Sequence, residues 1–216
     1  MKAIALISGG KDSFLSAYIA MQQGFDIVRA MIVRPQEYSY MFHFPNVDKA
    51  GYVAGMLGIE PEFVLEDGFQ QRVKEYASDG VKAIVSGAIA SEFQKTRLER
   101  IATEFSIISY TPLWKVDQHR VMRDILDAGI RAMIVSVSAE GFSENDLGRE
   151  IDDKYLERLY HLEKRYGINI TGEGGEYETF VFGFGNKYIS VKGHRIWKGS
   201  GGYFNIDSVE ERPDSC

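Results

Sequence analysis

Ser8-Gly9-Gly10-Lys11-Asp12-Ser13 follows the apolar run Ile4–Ile7 and opens an amphipathic helical pattern formed by Phe14, Leu15, Tyr18 and Ile19. Two adjacent glycines allow the backbone to turn tightly and to direct several N–H groups at one point. The positive end of the following helix adds its dipole at the same place. The stretch is therefore a strand-to-helix loop whose ligand should be an anion.

The spacing of this loop excludes two common nucleotide motifs. A Walker A loop requires glycine where Ala5 stands and serine or threonine where Asp12 stands, and no G-x-G-x-x-G register fits Gly9 and Gly10. The stretch resembles instead the S-G-G-x-D-S pyrophosphate loop (PP-loop) of the N-type ATP pyrophosphatases. That resemblance implies cleavage of ATP between the α and β phosphates, which leaves AMP and pyrophosphate.

Apolar, β-branched runs alternate with helical patterns through the first half of the chain. The runs are Ile4–Ile7, Ile27–Val33, Phe63–Leu65, Ala83–Val85 and Ile107–Ile108, and the helical patterns cover residues 12–23, 46–57, 68–79 and 91–104. Such alternation predicts an α/β fold with a doubly wound parallel sheet, of the adenine nucleotide alpha hydrolase-like type that the loop resembles. Ligands of these sheets bind beyond the carboxyl ends of the strands, so Gly87 should lie near the loop and adenine near Ile32 and Val33.

The regular alternation of strands and helices ends near Val116. Helical patterns at 117–128 and 152–165 flank the strand Ala132–Val137, and a glycine-rich tail follows with turns at Gly185-Asn186 and Gly199–Gly202. We expect an antiparallel tail in a smaller C-terminal α+β part. The predicted division is an ATP-binding pyrophosphatase domain over residues 1–115 and a C-terminal substrate-binding domain over 116–216.

Composition favours an intracellular enzyme. The chain has 216 residues, a formal net charge of −6 and a single cysteine, Cys216. One cysteine excludes an internal disulfide, a Cys-x-x-Cys redox pair and a thiolate metal site, and the negative charge disfavours a stable nucleic-acid partner. The first apolar run is too short for a signal peptide or a membrane span, so we expect a cytoplasmic protein without a membrane partner. The oligomeric state is left open, with a homo-oligomer among the options.

The stretch from Gly87 to Arg100 leads from a strand end into a helix and carries several charges. Lys95 and Arg97 stand near the expected crevice, where they could neutralise phosphate. Glu99 and Arg100 fit equally well on a solvated helix face.

The segment Gly172–Thr179 contains three carboxylates, from Glu173, Glu176 and Glu178. Its glycines allow close approach to a ligand, and clustered carboxylates suit magnesium, a cationic substrate group or a general base with a raised pKa. The alternative is an acidic surface loop. Alternation around Tyr177 predicts that Glu176 and Glu178 share one face of a nascent strand.

Together these stretches resemble one family along nearly the whole chain. The family is that of the diphthine–ammonia ligases, which these stretches resemble. They are Ser8–Ser13, Gly87-Ala88-Ile89 with Ser91, Gln94, Arg97 and Glu99, then Pro112-Leu113-Trp114 and Gly172–Thr179. The resemblance implies amidation of the diphthine carboxylate on translation elongation factor 2 with ATP and ammonium, through an acyl-adenylate, to give diphthamide. It also implies a role of ATP and Mg²⁺ as cofactors.

The implied reaction assigns a role to each candidate residue. Backbone N–H groups of Gly9 and Gly10, the hydroxyls of Ser8 and Ser13, and Lys11 would hold the β and γ phosphates, while Asp12 would place the metal. Lys95 and Arg97 would compensate charge at the α-phosphate. Glu176 or Glu178 would bind ammonium and accept its proton, with His43 and His119 as alternative bases.

The substrate that the resemblance implies carries a trimethylammonium group, which aromatic faces and carboxylates recognise. Tyr38, Tyr40, Phe42 and Tyr177 are the candidates for that cation pocket, unless these rings only pack the two halves together. The substrate-binding set is completed by Glu173, Gly174, Gly175 and Thr179.

Three other functions share parts of the pattern. An RNA-thiolating enzyme shares the loop but would need reactive cysteines or a sulfur relay. A small-molecule amide ligase fits the chemistry but not Gly172–Thr179. A non-catalytic ATP- or AMP-binding module would bind nucleotide without releasing pyrophosphate.

Overall fold

The structure is a computed structural model that describes residues 1–34 and 46–211. The chain forms two compact units, Met1–Lys115 and Val116–Cys216. Within the described residues, no helix combines the length and the apolar character needed to cross a membrane.

The first unit is a five-stranded parallel sheet with helices on its faces, which confirms the predicted doubly wound architecture. The strands lie in the order β3-β2-β1-β4-β5. Their bounds are β1 Lys2–Leu6, β2 Asp26–Arg34, β3 Pro61–Leu65, β4 Ala83–Val85 and β5 Ile108–Tyr110. The helices are α1 Lys11–Gln22, α2 Ala50–Met56, α3 Phe69–Ser78 and α4 Glu92–Glu104.

Local chemistry accounts for these elements. Gly24 and Gly58 follow α1 and α2 with φ of 82° and 71°, a left-handed conformation that ends a helix at little cost for glycine. Central strands read as continuous apolar runs because both of their faces are covered. Ile4, Met31 and Ile84 form one core with α3 and α4, and right-handed crossovers put α1 and α2 on the opposite face.

The order of the strands reverses between β1 and β4. The chain moves from β1 outward through β2 to β3, then returns to the other side of β1 for β4 and β5. Such a reversal opens a crevice beyond the carboxyl ends of the two central strands, since their connections leave to opposite faces. The loop Ser8–Ser13 follows β1 directly and therefore lies at this crevice.

The second unit is built on an antiparallel sheet, as the glycine-rich tail predicted. It contains α5 Gln118–Asp127, β6 Ile130–Val137, α6 Asp153–Tyr166, β7 Tyr177–Phe184, β8 Lys187–Lys198 and β9 Gly201–Glu211. The strands pair in the order β6-β7-β8-β9, and β9 returns to pair with β6. Gly185-Asn186 and Gly199-Ser200 form the two hairpin turns.

A buried carboxylate stabilises the segment between β6 and α6. Asp146 is 4% exposed and accepts bonds from Arg158 Nε at 2.8 Å, Arg158 Nη2 at 2.9 Å, the Tyr155 hydroxyl at 2.8 Å and the Ser143 N–H at 2.8 Å. Burial alone would raise the pKa of Asp146, but these bonds outweigh burial and lower the pKa below the ordinary aspartate value. The network is a fixed structural feature of this unit.

Candidate functional site

The loop Ser8–Ser13 has the shape of an anion cradle. Gly9 has a φ of 94°, which a residue with a side chain adopts only under strain. Gly10 is the N-cap of α1, and it has no side chain that could cap this end of the helix. The positive end of the helix dipole thus lies at the loop, as a phosphate-binding loop requires.

The two serines of the loop bond to each other. The Ser8 and Ser13 hydroxyl oxygens are 3.1 Å apart, the Ser8 N–H donates to Ser13 Oγ at 3.2 Å, and Ser13 Oγ donates to the Gly10 carbonyl at 2.9 Å. The Gly10 N–H donates to Ser8 Oγ at 3.3 Å. These hydroxyls fix the curvature of the loop, a structural task that the sequence pattern did not reveal.

Lys11 and Asp12 form an ion pair at the start of α1. Lys11 Nζ lies 2.9 Å from Asp12 Oδ2, and the lysine side chain is 2% exposed. Such a pair offers a cation toward phosphate and a carboxylate toward a metal from adjacent positions. The described residues contain no group of three or more metal-ligating side chains. A single carboxylate still fits Mg²⁺, because this ion takes one or two protein carboxylates together with phosphate oxygens.

Gly87 holds the loop after β4 against the loop after β1. A Cβ atom at this position would lie 2.6 Å from the Ser13 nitrogen and 2.8 Å from the Asp12 carbonyl carbon. Only glycine permits this approach without a backbone shift. The predicted proximity of Gly87 to the pyrophosphate loop is therefore present in the first unit.

The loop after β5 continues the same surface. Ser86 Oγ lies 3.3 Å from Thr111 Oγ1, and the Lys115 N–H donates to the Ile89 carbonyl at 2.8 Å. Three loops, which follow β1, β4 and β5, are thus joined at the carboxyl edge of the sheet.

Lys95 lies beside this surface together with an indole ring. Lys95 Nζ is 5.0 Å and Lys115 Nζ is 4.6 Å from the ring centroid of Trp114. Lys95 Nζ also pairs with Glu99 Oε1 at 2.6 Å, and Lys115 Nζ pairs with Glu92 Oε1 at 3.1 Å. The ring holds two ammonium groups, each with its own carboxylate.

The Arg97 side chain is directed toward Glu66 rather than toward this surface. Arg97 Nη1 lies 3.4 Å from Glu66 Oε1, just past the end of β3. Residues two apart on a helix are separated by about 200° around its axis, so Lys95 and Arg97 leave α4 on nearly opposite sides. The prediction that both side chains meet at one phosphate does not agree with this arrangement.

Ile32 and Val33 are both buried in β2. The Ile7 N–H donates to the Met31 carbonyl, and the Ala30 N–H donates to the Glu60 carbonyl of the neighbouring strand. Because successive residues of a strand direct their backbone groups to opposite sides, those of Val33 point toward β1, beyond the end of that strand.

The loop before β7 is organised around Glu176. Glu176 Oε1 accepts the Asn169 N–H at 2.9 Å, while Glu176 Oε2 is buried without a hydrogen-bond partner among residues 1–34 and 46–211. Asn169 Oδ1 accepts from the Thr171 N–H at 2.9 Å and from Thr171 Oγ1 at 2.6 Å. One carboxylate oxygen is thus fixed, and the other is left for a donor.

Tyr177 does not fit its predicted role in a cation pocket, because its side chain is buried. Its side chain is 1% exposed, its hydroxyl donates to the Ile170 carbonyl, and its ring packs 5.7 Å from the ring of Phe142. A ring buried in this way cannot present its face to a substrate, so Tyr177 anchors the loop instead. Thr179 is likewise 4% exposed.

The rest of the Gly172–Thr179 segment stays near the surface. Gly174 and Gly175 are exposed, and Glu173, Glu176 and Glu178 are half-buried on either side of the buried Tyr177. This alternation agrees with the predicted shared face of Glu176 and Glu178. A Cβ at Gly172 would lie 2.5 Å from the Tyr177 carbonyl oxygen, so glycine is required at this position.

The remaining predicted residues lie either outside the described residues or on the surface of the second unit. Tyr38, Tyr40, Phe42 and His43 lie outside the described residues. His119 Nε2 lies 3.1 Å from Glu163 Oε1, and its ring stacks on Tyr160 at 5.0 Å. That arrangement is a surface helix pair within the second unit.

Asn169 and Lys115 also shape the site, although neither was among the predicted residues. Asn169 could have been found from its position two residues before Thr171, a spacing at which asparagine often bonds the backbone. Lys115 has a φ of 57°, which is unusual for a non-glycine residue. No local sequence pattern predicts this conformation.

Comparisons with known proteins place both units in one family. The model for the diphthamide synthase N-terminal domain matches residues 1–109, and that for the diphthamide synthase C-terminal domain matches residues 117–211.

Curated relatives named diphthine–ammonia ligase cover 84% of the chain. The protein of Danio rerio is 29% identical, with 82% of its length covered, and that of Homo sapiens is 30% identical, with 78% covered. The protein of Schizosaccharomyces pombe is 28% identical, but the chain spans only 34% of its length. The predicted enzyme class, a ligase, agrees with these names. Because both domain models match in order, the chain belongs to the diphthamide synthase family.

Proposed function

We propose that this chain completes diphthamide by amidating the carboxylate of diphthine on translation elongation factor 2 with ammonium, and that it releases AMP and pyrophosphate from ATP. The observation that carries the proposal is the intact Ser8–Ser13 cradle at the strand-order reversal of a chain whose two units both match diphthamide synthase domains. In this proposal the first unit binds ATP and the second binds the modified side chain.

The first step activates a poor electrophile. A carboxylate oxygen of diphthine attacks the α-phosphorus of ATP, the bond to the β-phosphate oxygen breaks, and pyrophosphate leaves to give an acyl-adenylate. Stabilising the charge of the leaving group is the task of the loop and of Lys11. We assign the α-phosphate to Lys95, whose ammonium lies beside Trp114 in the loop after β5, rather than to Arg97, whose head group lies at Glu66 past the end of β3.

Nucleotide and metal would be held by few residues. The adenine would bond to the backbone groups of Val33, beside Ile32. Asp12 would contact Mg²⁺ together with phosphate oxygens, and the ion would supply positive charge to the departing pyrophosphate.

The second step forms the amide. Ammonia attacks the carbonyl carbon of the acyl-adenylate, the bond to the AMP oxygen breaks, and a proton leaves the nitrogen. We assign ammonium binding and proton acceptance to Glu176, because its Oε2 is buried without a hydrogen-bond partner among residues 1–34 and 46–211. Glu178 would lie on the same face, and Glu173, Gly174 and Gly175 would border the substrate. Tyr38, Tyr40 and Phe42, which lie outside the described residues, would line the cation pocket.

The test is incubation with ATP, magnesium, ammonium and diphthine-bearing elongation factor 2. We expect AMP and pyrophosphate in equal amounts, together with the mass change of carboxylate to amide. Asp12→Ala should abolish both signals. AMP formation only with another acceptor would contradict the assigned substrate, and ATP binding without any turnover would favour a nucleotide-binding module.

Glu176→Gln separates the two steps. The variant keeps an oxygen that can accept the Asn169 N–H but cannot take up a proton, so we expect adenylation without amide formation. Adenylation is measured as pyrophosphate exchange into ATP, and amide by mass. Glu178→Gln is the matched control and should retain amide formation. Loss of both steps in Glu176→Gln would show that the residue is structural.

A further inference from the structure

A groove of about 720 Å³ lies along the outer side of α4 in the first unit. Its wall includes Phe93, Arg97, Arg100 and Glu104 from α4 and Gln70 from α3. The proposed chemistry uses neither Phe93 nor Arg100. A second depression of about 430 Å³ lies on the other side of Arg100, which therefore stands between two hollows.

The α4 residues form one stripe along the helix. Positions 93, 97, 100 and 104 follow the spacing of one helical face, and they span about 16 Å along the axis. Phe93 lies in the first turn, which follows the loop that Gly87 packs against the pyrophosphate loop. The groove therefore starts at the carboxyl edge of the sheet, where ATP would bind, and leads away from it.

Two side chains of this stripe are left exposed or unpaired among the described residues, first Phe93 and then Arg100. The Phe93 side chain is 59% exposed, although an aromatic ring gains free energy when it is buried. Arg100 has no hydrogen bond, ion pair or ring contact within residues 1–34 and 46–211, whereas Arg97 faces Glu66.

The far end of the groove carries a carboxylate. Glu104 Oε2 accepts a bond from Gln70 Nε2 at 2.8 Å, which leaves its negative charge without a cation at that contact. The order along the groove is thus an aromatic ring, a free guanidinium and a carboxylate. A complementary chain would present an apolar side chain, then an acidic one, then a basic or amide donor.

We propose that this groove docks the segment of the protein substrate that flanks the modified histidine. The inference rests on the proposed function, because it takes the same elongation factor as occupant. A length of about 16 Å accommodates roughly five residues of extended chain. Arg100 would pair with a carboxylate of that segment and Phe93 would bury an apolar side chain, as interface anchors do.

Steady-state kinetics with diphthine-bearing elongation factor 2 test the groove. Arg100→Glu and Phe93→Ser should each raise the KM for the protein substrate about tenfold or more, while the dissociation constant for ATP stays within twofold. Arg100→Lys keeps the positive charge and should recover most of the affinity. Lys82→Glu is the matched control, since Lys82 is exposed and lies just before β4, at the opposite edge of the sheet.

The outcomes separate this proposal from the proposed function. Turnover by the parent chain with an unchanged KM in both groove variants would overturn the docking site alone. No turnover by the parent chain would overturn the function and the docking site together. If light scattering shows that Arg100→Glu converts a dimer to a monomer at unchanged KM, the groove binds a second copy and the proposal is wrong.

Discussion

Gly87 is the residue at which the site tolerates the least change. A Cβ atom would lie 2.6 Å from the backbone nitrogen of Ser13, and neither backbone can give way without moving the pyrophosphate loop. We expect Gly87→Ala to weaken Mg-ATP binding about tenfold or more and to lower the free energy of unfolding by about 1–3 kcal/mol. Titration calorimetry and urea unfolding measure the two effects.

Gly55→Ala is the control for this prediction. Gly55 lies within α2, and apart from its chain neighbours and its own helix backbone a Cβ there meets no atom of residues 1–34 and 46–211 within 4 Å. Alanine is favoured over glycine by about 1 kcal/mol inside a helix, so this variant should be slightly more stable and bind ATP as before. Normal ATP affinity in Gly87→Ala would show that the loop can shift without consequence.

At the scale of elements, the loops after β4 and β5 and the first turns of α4 form one charged surface around Trp114. The indole is 5.0 Å from Lys95 Nζ and 4.6 Å from Lys115 Nζ. Since Glu99 holds Lys95 at 2.6 Å, a phosphate that attracts Lys95 must draw it from this carboxylate. Nucleotide binding should therefore alter the surroundings of the indole.

Fluorescence tests this coupling because the chain has two tryptophans, Trp114 and Trp197. In a Trp197→Phe chain we expect Mg-ATP to change the emission of Trp114, with about a tenfold weaker apparent affinity after Lys95→Gln. Lys115→Gln is the matched control, since the Lys115 side chain is 56% exposed, and it should weaken binding less than Lys95→Gln. Equal effects of the two variants would contradict a special role of Lys95.

At the scale of the whole molecule, the Asp146 network links stability to pH. The folded pKa of Asp146 lies below its unfolded value of about 3.9, because the bonds from Arg158, Tyr155 and Ser143 outweigh burial. Its contribution is therefore complete above that unfolded value and is lost as pH falls through the lower folded pKa. Asp146→Asn should lower the free energy of unfolding at pH 7 by about 2–3 kcal/mol and flatten its acid dependence.

Urea unfolding at pH 7 and in acid, followed by Trp197 emission in a Trp114→Phe chain, measures this contribution in the second unit. Asp124→Asn is the control, because Asp124 pairs with Arg120 on the surface of α5 at 2.6 Å. Such an exposed pair contributes about 0.5 kcal/mol or less. Similar losses in both variants would show that the Asp146 network adds nothing beyond a surface ion pair.

The sequence by itself determined the parallel sheet, the order of its elements and the pyrophosphate loop. Strand Ala83–Val85 falls where its apolar run predicted, and helix Lys11–Gln22 begins at the loop. Gly24 and Gly58 follow their helices with a positive φ, the conformation that glycine favours at a helix end. These features follow from side-chain periodicity and turn chemistry, which act between residues a few positions apart.

Only the tertiary structure decided which predicted residues meet. Arg97 faces Glu66, 31 positions away, rather than the side of α4 that holds Lys95. Tyr177 is buried against the Ile170 carbonyl, and the Asn169 N–H fixes Glu176. Each of these contacts depends on how packed elements bring distant residues into register, and no local pattern encodes that register.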